Sequence, residues 1–374
     1  MNKIYLDYAA SSLKHFDLLK ETISEFEEIY ANPSSNHSLG KKNNVLLKNA
    51  REAIAKTINA KSEQIIFTSG GTEANNMVFN HISEIFSEGE IIISDIEHPS
   101  VKEAAYKLEK SGFKTIELST KHTGVVSVGD IKQAINEKTV LISIMFANNE
   151  TGIIQPIEEI SKIIKDKNIL FHSDIVQAYC KVNIDIEKLN IDFASVSAHK
   201  IGATNNFGFL YSKTSKITPL LVGGGQENGL RSGSSDPIGA VMLSKCAKRT
   251  IDNIDKLKEL KLYFLEKLKE ENISFKINGE ADNSLPNIIN IYFDNIQSQR
   301  LITYLDVNNI FISGGSACSS GNIKASKIIT TIYDEDRANN SVRISIGFNN
   351  TEDMIDITIA KIKQLEDRIL ERGM

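Results

Sequence analysis

Short apolar runs alternate with amphipathic stretches between residues 64 and 212, and this alternation limits the folds open to the chain. The apolar runs predict buried strands, and the stretches at 72–86, 100–112 and 156–168 have the apolar spacing of helices. Strands that alternate with helices predict βαβ units, and so an α/β fold with a mostly parallel sheet. The predicted strands are QIIFTS (64–69), EIIISD (90–95), TVLISIMFA (139–147), ILFHSD (169–174), DFASVS (192–197) and FGFLYS (207–212).

The pattern changes after about residue 240, which predicts a second, smaller α+β domain. One long charged helix is predicted over 238–271, followed by a helix near 298–308 and a last helix at 351–371. A chain of 374 residues is long enough for two domains. We therefore expect a large domain over 13–250 and a small domain built from 1–12 and 251–374. The remaining predicted strands lie in ISFKIN, PNIINIYF and SVRISIGF.

Composition excludes several classes of function. The net charge of −5 argues against a nucleic-acid-binding surface as the main purpose, and no apolar run is long enough for a membrane span. The three cysteines, Cys180, Cys246 and Cys318, are too few and too widely spaced for a disulfide framework. No CxxC pair suggests a metal site, and the N-terminus has no signal-peptide core. These features predict a cytoplasmic protein with reduced thiols.

Two glycine-containing stretches are candidate anion sites. In FTSGGTEANN (67–76) a predicted strand ends and a helix begins, so backbone N–H groups at Gly71 and Thr72 are suited to a phosphate. Taken alone, the stretch favours a tight turn with Thr72 as the helix N-cap. In GGGQENGLRSGSSD (223–236), Arg231 and Ser234 are either anion ligands, together with Ser232, or part of a mobile surface loop.

Two further stretches carry a lysine and a carboxylate. Ser197, His199 and Lys200 follow a strand, where ligands bind in open α/β sheets. Lys200 is either a solvated surface charge or a desolvated Schiff-base nucleophile. Asp174 and Gln177 follow another strand in FHSDIVQ (171–177). Asp174 is either a helix N-cap or the carboxylate that keeps a pyridine nitrogen protonated.

The last candidates are His98, the Asn148–Asn149–Glu150 cluster and Cys318. His98 lies in a loop after a strand, where it is either solvated or stacked on a cofactor ring. The cluster in FANNETG (146–152) by itself favours a turn. Cys318 lies among glycines and serines in ISGGSACSSGN (312–322), which favours a mobile nucleophile over a small buried apolar residue.

Five of these polar clusters follow predicted strands of one sheet, so we expect them to meet at one edge. Together they provide a phosphate cradle, a lysine, a carboxylate and a ring for stacking. That set matches what pyridoxal 5′-phosphate (PLP) requires from a protein.

The ordered motifs resemble those of cysteine desulfurases of the NifS/IscS type, within the class V, fold-type I PLP enzymes. The resemblance spans nearly the whole chain and implies a seven-stranded, mostly parallel sheet in the large domain. The late Ser-Ala-Cys-Ser tract makes the ordered set specific. The matching motifs are YLDYAA (5–10), NPSS (32–35), SGGTEANN (69–76), EHPS (97–100), NNETG (148–152), SDIVQ (173–177), SAHK (197–200), GGGQENGLRSG (223–233), SGGSACSSG (313–321) and VRISIG (342–347).

The resemblance implies a role for each matching cofactor residue. Lys200 would bond covalently to PLP, Asp174 would pair with the pyridine nitrogen, and Gln177 would contact the ring oxygen. His98 would stack on the ring and take part in proton transfer. Ser234 would reach the phosphate of the second subunit in a homodimer. The remaining phosphate ligands would be Gly71, Thr72, Ser197 and His199.

The resemblance also implies the reaction. Asn149 would contact the cofactor or the substrate carboxylate, and Arg343 would clamp that carboxylate, for which a bidentate guanidinium is suited. The Cys318 thiolate would take the sulfur of L-cysteine as a persulfide, leaving L-alanine. An acceptor protein, either an iron–sulfur scaffold or a thiolation enzyme, would then receive the sulfur.

Alternatives remain at the level of sequence. A selenocysteine lyase or another class V transaminase or lyase shares most of these residues, although an aminotransferase needs no mobile cysteine. A non-enzymatic sulfur-relay or scaffold subunit would not need Lys200, Asp174, His98 and Arg343 together. The chain also departs from the usual family pattern at HKIGATNNFG (199–208) and at Cys180, where glycine is common.

Overall fold

Strands and helices alternate between residues 65 and 174, within the 64–212 range where the sequence pattern predicts this alternation. The computed structural model describes residues 3–279, 283–315 and 325–373. Within these ranges the strands are β1 (Ile4–Tyr5), β2 (Ile65–Thr68), β3 (Gly89–Ser94), β4 (Phe113–Leu118), β5 (Thr139–Ser143), β6 (Leu170–Asp174), β7 (Phe193–Ser197), β8 (Gly208–Ser212), β9 (Phe275–Ile277), β10 (Ile288–Phe293), β11 (Ile310–Phe311) and β12 (Ser341–Ser345).

Helices lie close to the stretches predicted at 72–86, 100–112, 156–168, 298–308 and 351–371, whereas five other α-helices of the described ranges were not predicted. Three short 3₁₀ helices lie at Ser62–Gln64, Ala198–Ile201 and Glu227–Gly229. The α-helices are α1 (Phe16–Phe26), α2 (Ser38–Lys56), α3 (Gly71–Ile85), α4 (Pro99–Glu109), α5 (Val128–Ala134), α6 (Ile157–Ile164), α7 (Pro237–Ile251), α8 (Ile254–Glu270), α9 (Ser298–Val307), α10 (Lys327–Ile332), α11 (Glu335–Asn339) and α12 (Glu352–Gly373).

A seven-stranded sheet with the order β2-β8-β7-β6-β5-β3-β4 forms the centre of the fold, which confirms the predicted architecture. All neighbouring strands are parallel except β8, which is antiparallel to both β2 and β7. Strands β2, β3, β5, β6 and β7 therefore point the same way. Their carboxyl ends meet at one edge of the sheet, where ligands bind in open α/β folds.

Helices cover both faces of this sheet. Ile92 packs into a cluster that includes residues of α1, α2, α5, α6 and α7. Its neighbours Ile91 and Ile93 point to the opposite face and pack with residues of α3 and α4. This alternation is the two-residue period of a strand that is buried on both faces.

A separate apolar cluster forms around the second part of the chain. It combines Ile4 and Leu6 with residues from α8, α9, α12, β10 and β12. Strand β1 pairs in parallel with β11, and β12, β10 and β9 form an antiparallel sheet. This grouping agrees with the expected small α+β unit, although the boundaries at residues 12 and 250 remain predictions.

Two predictions from the sequence were wrong in detail. The helix predicted over 238–271 is two helices, since α7 ends at Ile251 and α8 begins at Ile254. Asn253 takes a non-helical conformation and donates from Nδ2 to the Arg249 carbonyl, which closes α7. Edge strand β4 was missed because its partly exposed residues lack the apolar character of the other strands.

Among the described residues, no helix combines the length and apolar character needed to cross a membrane. The same residues contain no cluster of three or more His, Cys, Asp or Glu side chains suited to a metal ion.

Candidate active site

Lys200 lies on the 3₁₀ helix that directly follows β7, at the carboxyl edge of the large sheet. Its Nζ donates to the carbonyls of Ala9 and Ala10, both at 2.8 Å. Gly202 ends this turn with φ at +81°, and an added Cβ would lie 2.6 Å from His15 Cδ2. Only glycine is accommodated there without strain or a clash. The turn after His199–Lys200 is therefore well defined despite its departure from the family sequence.

Asp174 ends β6 and is almost completely buried. Its Oδ1 accepts the Val176 N–H at 3.0 Å, and its Oδ2 accepts Asn75 Nδ2 at 2.9 Å. The carboxylate caps a local turn, but among the described residues no helix follows it before β7, so the reading of Asp174 as a helix N-cap was wrong. The carboxylate also takes part in a buried hydrogen-bond network with α3, which a simple cap would not require.

Gln177 and Lys200 meet at the Ala9 carbonyl. Gln177 Nε2 donates to this oxygen at 3.0 Å, and Lys200 Nζ donates to it at 2.8 Å. On its other side, Gln177 Oε1 accepts Lys181 Nζ at 3.4 Å. Burial, followed by the charge of Lys200, lowers the pKa of Lys181 to about 7. A second buried amine therefore lies beside the site.

His98 is the N-cap residue of α4, and its Nδ1 accepts the Ser100 N–H at 3.1 Å. Burial lowers the pKa of the imidazole, the Asp174 carboxylate opposes this shift and Lys200 adds to it. The same two charges thus act on His98, Asp174 through attraction and Lys200 through repulsion. Asp174 and Lys200 follow His98 by 76 and 102 residues in the sequence, and the carboxyl edge of the sheet brings all three close together.

The start of α3 follows β2 and faces β7. Helix α3 begins at Gly71 with Gly70 as its N-cap, so the alternative prediction of Thr72 as N-cap was wrong. An added Cβ at Gly71 would lie 2.9 Å from Val176 Cγ2, and one at Gly70 would lie 3.5 Å from Ser197 Oγ. The first N–H groups of a helix have no intrahelical acceptors. Gly71, the exposed Thr72 and Ser197 therefore form a cradle suited to an anion.

His199 and Arg231 differ in their relation to this cradle. His199 Nδ1 is 3.4 Å from Ser11 Oγ, and burial together with nearby lysines lowers its pKa to about 4. Arg231 is instead held by Glu73, with Nε at 2.8 Å from Oε1 and Nη2 at 3.1 Å from Oε2. The pairing with Glu73 uses Nε and Nη2 of the guanidinium, and the suggestion that Arg231 serves as an anion ligand stays a prediction.

Arg343 lies in β12 and is 1% exposed. Its Nη1 donates to the Asn149 carbonyl at 3.0 Å, and its Nη2 donates to Asp7 Oδ1 at 2.7 Å. Asn148, by contrast, organises the turn after β5, since its Oδ1 accepts the N–H groups of Glu150 and Thr151. Asn148 therefore has the turn-forming role and Asn149 lies next to the arginine.

A model of the family described as aminotransferase class-V matches residues 4–357. This chain belongs to that family. A cysteine desulfurase IscS from Clostridium botulinum strain Kyoto is 40% identical over 376 residues, covering 98% of this chain and 95% of that protein. A solved NifS-like protein has a TM-score of 0.89 at 32% identity and covers 97% of this chain and 99% of its own. A structure titled SspA in complex with cysteine has a TM-score of 0.82 at 33% identity, covering 92% and 99%.

Enzymes of this class V group depend on PLP, and the residues of this chain fit that cofactor. A lysine amine, a buried carboxylate and a glycine-lined helix start lie at one edge of the sheet. Glycine is required at position 71, because an added Cβ would lie 2.9 Å from Val176 Cγ2. The helix that begins there has unpaired backbone N–H groups in its first turn, which are suited to a phosphate. When bound, PLP supplies an electron sink for the bonds at the substrate α-carbon.

Two predicted class V residues are not joined to the site by the described contacts. Ser234 is exposed, in the segment between the 3₁₀ helix Glu227–Gly229 and α7. Its role as a phosphate ligand from a second subunit remains a prediction. Cys318 lies in 316–324, outside the described residues.

Sequence reasoning missed several residues that this site uses: Asp7, Asn75, Ser100 and Lys181. Asp7, Asn75 and Ser100 fall within the matching motifs YLDYAA, SGGTEANN and EHPS, which was the available signal. For Lys181 no pattern indicated burial, because it follows a turn and is surrounded by mixed residue types.

Proposed function

We propose that this protein is a PLP-dependent cysteine desulfurase, which converts L-cysteine to L-alanine and keeps the sulfur as a persulfide on Cys318. The cysteine desulfurases among its relatives and the cysteine complex of a similar structure support this substrate. The atoms balance without a further reactant. The substrate C–S bond breaks, an S–S bond to Cys318 forms, and the substrate β-carbon gains the proton that completes alanine.

The observation that carries the proposal is the attachment of both flanks of the Cys318 segment to the site. Before the segment, the backbone of Ser313 exchanges two hydrogen bonds with that of Arg343, at 2.7 and 3.2 Å. After it, Ser326 Oγ donates to the Glu150 carboxylate, and Glu150 follows Asn149 in the chain. The chain thus leaves and re-enters next to the two residues proposed to hold the substrate.

Different residues of the chain have different roles in the proposed reaction. Lys200 would hold PLP through its amine, and the same amine would move the proton at the substrate α-carbon. Asp174 and Gln177 orient the ring, while Gly71, Thr72, Ser197, His199 and the partner-derived Ser234 hold its phosphate. Arg343 and Asn149 hold the substrate carboxylate, so that the substrate sulfur is presented to Cys318.

The assembly proposed here is a cytoplasmic homodimer that delivers sulfur to an acceptor protein. Ser234 is exposed, so its side chain is accessible to the phosphate site of a second copy. The acceptor is a protein thiol or scaffold of an iron–sulfur or thiolation pathway, since a persulfide transfers its outer sulfur to another thiolate.

Replacement of Cys318 tests the function. We expect Cys318→Ser to abolish sulfide release from L-cysteine in the presence of a reductant, while the visible absorbance of bound PLP is unchanged. Cys180→Ser and Cys246→Ser are matched controls that should retain activity, because both thiols are buried. Full activity in Cys318→Ser would rule out the proposed persulfide carrier.

A further inference from the structure

His98 is connected to Asp174 by a chain of hydrogen bonds through two side chains that the proposed reaction does not use. Asn75 Nδ2 lies 2.9 Å from Asp174 Oδ2 and 2.8 Å from Ser100 Oγ. Ser100 Oγ in turn lies 2.7 Å from His98 Nδ1. The chain crosses from β6 through α3 to the first turn of α4.

The direction of each hydrogen bond follows from the chemistry of the groups. The Asn75 amide must point its NH₂ toward Asp174, because the opposite orientation would place a carbonyl oxygen against a carboxylate. This NH₂ has two hydrogens, and the second is donated to Ser100 Oγ. The Ser100 hydroxyl, having accepted from Asn75, directs its own hydrogen toward His98 Nδ1.

Nδ1 of His98 therefore receives two donors, the hydroxyl of Ser100 and the Ser100 backbone N–H. An imidazole nitrogen that accepts a hydrogen bond carries no proton, so the proton of the neutral ring is on Nε2. Within the described residues Nε2 has no hydrogen-bond partner. Its N–H is the ring's remaining donor.

The charges around the ring affect whether His98 is neutral or positively charged. Asp174 attracts a positive imidazolium, whereas Lys200 opposes it, and His199 is also within electrostatic reach. Glu97 is bonded to Ser94 Oγ and the Met145 N–H. His98 also caps the N-terminus of α4, an 11-residue helix, where a positive charge is unfavourable.

We infer that Asn75 and Ser100 are positioning residues that hold His98 as the neutral ring protonated on Nε2, so that the ring's only N–H donor is Nε2. A ring nitrogen that carries a proton has no lone pair to accept another. His98 thus donates from Nε2 and does not act there as a base. The inference deepens the proposed function. Which group accepts the hydrogen bond from Nε2 rests on that function, whereas the tautomer of His98 does not.

The tautomer is measured by ¹⁵N NMR of the holoenzyme labelled at its seven histidines, with His98 assigned from the His98→Gln variant. We expect one unprotonated nitrogen, Nδ1, and one protonated nitrogen, Nε2, at pH 7. A proton on Nδ1, or on both nitrogens, overturns the inference. If the enzyme released no sulfide, the proposed function would fail while this result stood.

Substitutions separate positioning from a merely structural role. In Ser100→Ala one donor to Nδ1 is lost, so the His98 titration should move to higher pH, and kcat/KM should fall roughly fivefold, the equivalent of one hydrogen bond of about 1 kcal/mol. Asn75→Ala should move the titration in the same direction, because the Ser100 hydroxyl is then free to turn. Ser100→Thr keeps the hydroxyl and should restore the wild-type titration, and Ser111→Ala, exposed beyond the end of the same helix, is the control. An unchanged titration in Ser100→Ala or Asn75→Ala overturns the role assigned to that residue.

Discussion

The buried Arg343 and the partly buried Asp7 form an ion pair between distant parts of the chain, with Nη2 at 2.7 Å from Oδ1. Burial raises the pKa of Asp7, and the Arg343 guanidinium opposes this shift. Asp7 binds one side of the guanidinium and the Asn149 carbonyl binds another. The arginine is therefore held in one orientation before any substrate carboxylate arrives.

Replacing Arg343 by lysine should weaken the binding of L-cysteine while the protein still folds and binds PLP. A lysine keeps the charge but loses the planar fork that binds a carboxylate at two points. We expect KM to rise about 10- to 100-fold, since a charge-assisted hydrogen bond contributes roughly 1.5–3 kcal/mol. The control is Arg368→Lys, an exposed arginine of α12. A KM equal to that of the wild type would contradict the substrate role.

Removing the Lys200 amine should abolish covalent attachment of PLP. In Lys200→Ala we expect the cofactor absorbance to shift to that of the free aldehyde and PLP to be lost on dialysis, whereas the wild type retains it. Lys216→Ala removes an exposed lysine that follows β8 and should behave as the wild type. Retention of the wild-type spectrum in Lys200→Ala would assign the covalent link to another amine.

Lys181 should make the stability of the protein depend on pH between about 7 and 10. Burial lowers its folded-state pKa to about 7, while a lysine in an unfolded chain titrates near 10.4. Between these values the unfolded chain binds a proton that the folded protein does not, so stability rises with pH.

Lys181→Met removes the titrating amine, and with it this contribution to the pH dependence of stability. We expect the free energy of unfolding of the wild type, relative to the variant, to increase by about 1 kcal/mol or more from pH 7 to pH 10. Denaturant titrations at several pH values measure it, with Lys216→Met as the exposed control. Parallel pH profiles for the wild type and Lys181→Met would show that the buried amine does not titrate in this range.

The two buried thiols should be inert in the folded protein. Burial raises the pKa of both Cys180 and Cys246 to about 12, so little thiolate exists at pH 8. In the Cys318→Ser background we expect a thiol reagent to label neither residue under native conditions and both after denaturation. Rapid native labelling of either cysteine would contradict its assigned burial.

The alternating pattern predicted the large sheet well because its strands are buried on both faces and so read as continuous apolar runs. Edge strand β4 lacked that signal. Convergence of Asp174, His98 and Lys200 was predictable because parallel strands place their carboxyl ends at one edge. The Asn75–Ser100 contact was not, since it depends on how α3 packs against α4. Nor does local spacing show that Asp7 reaches Arg343, more than 300 positions away.

The pairing of β1 with β11 means that the N-terminal residues complete their contacts late during synthesis of the chain. Ile4 pairs with Ile310, and the Ala9 N–H bonds to Ser345 Oγ, 336 positions later. N-terminal parts of a protein usually fold while the rest is still being translated. Here the residues that present the Ala9 carbonyl to Lys200 leave the ribosome first but find these partners last. A nascent chain that ends before residue 345 therefore lacks the contacts that complete the surroundings of Lys200, so the pocket is finished only after residue 345 has been translated.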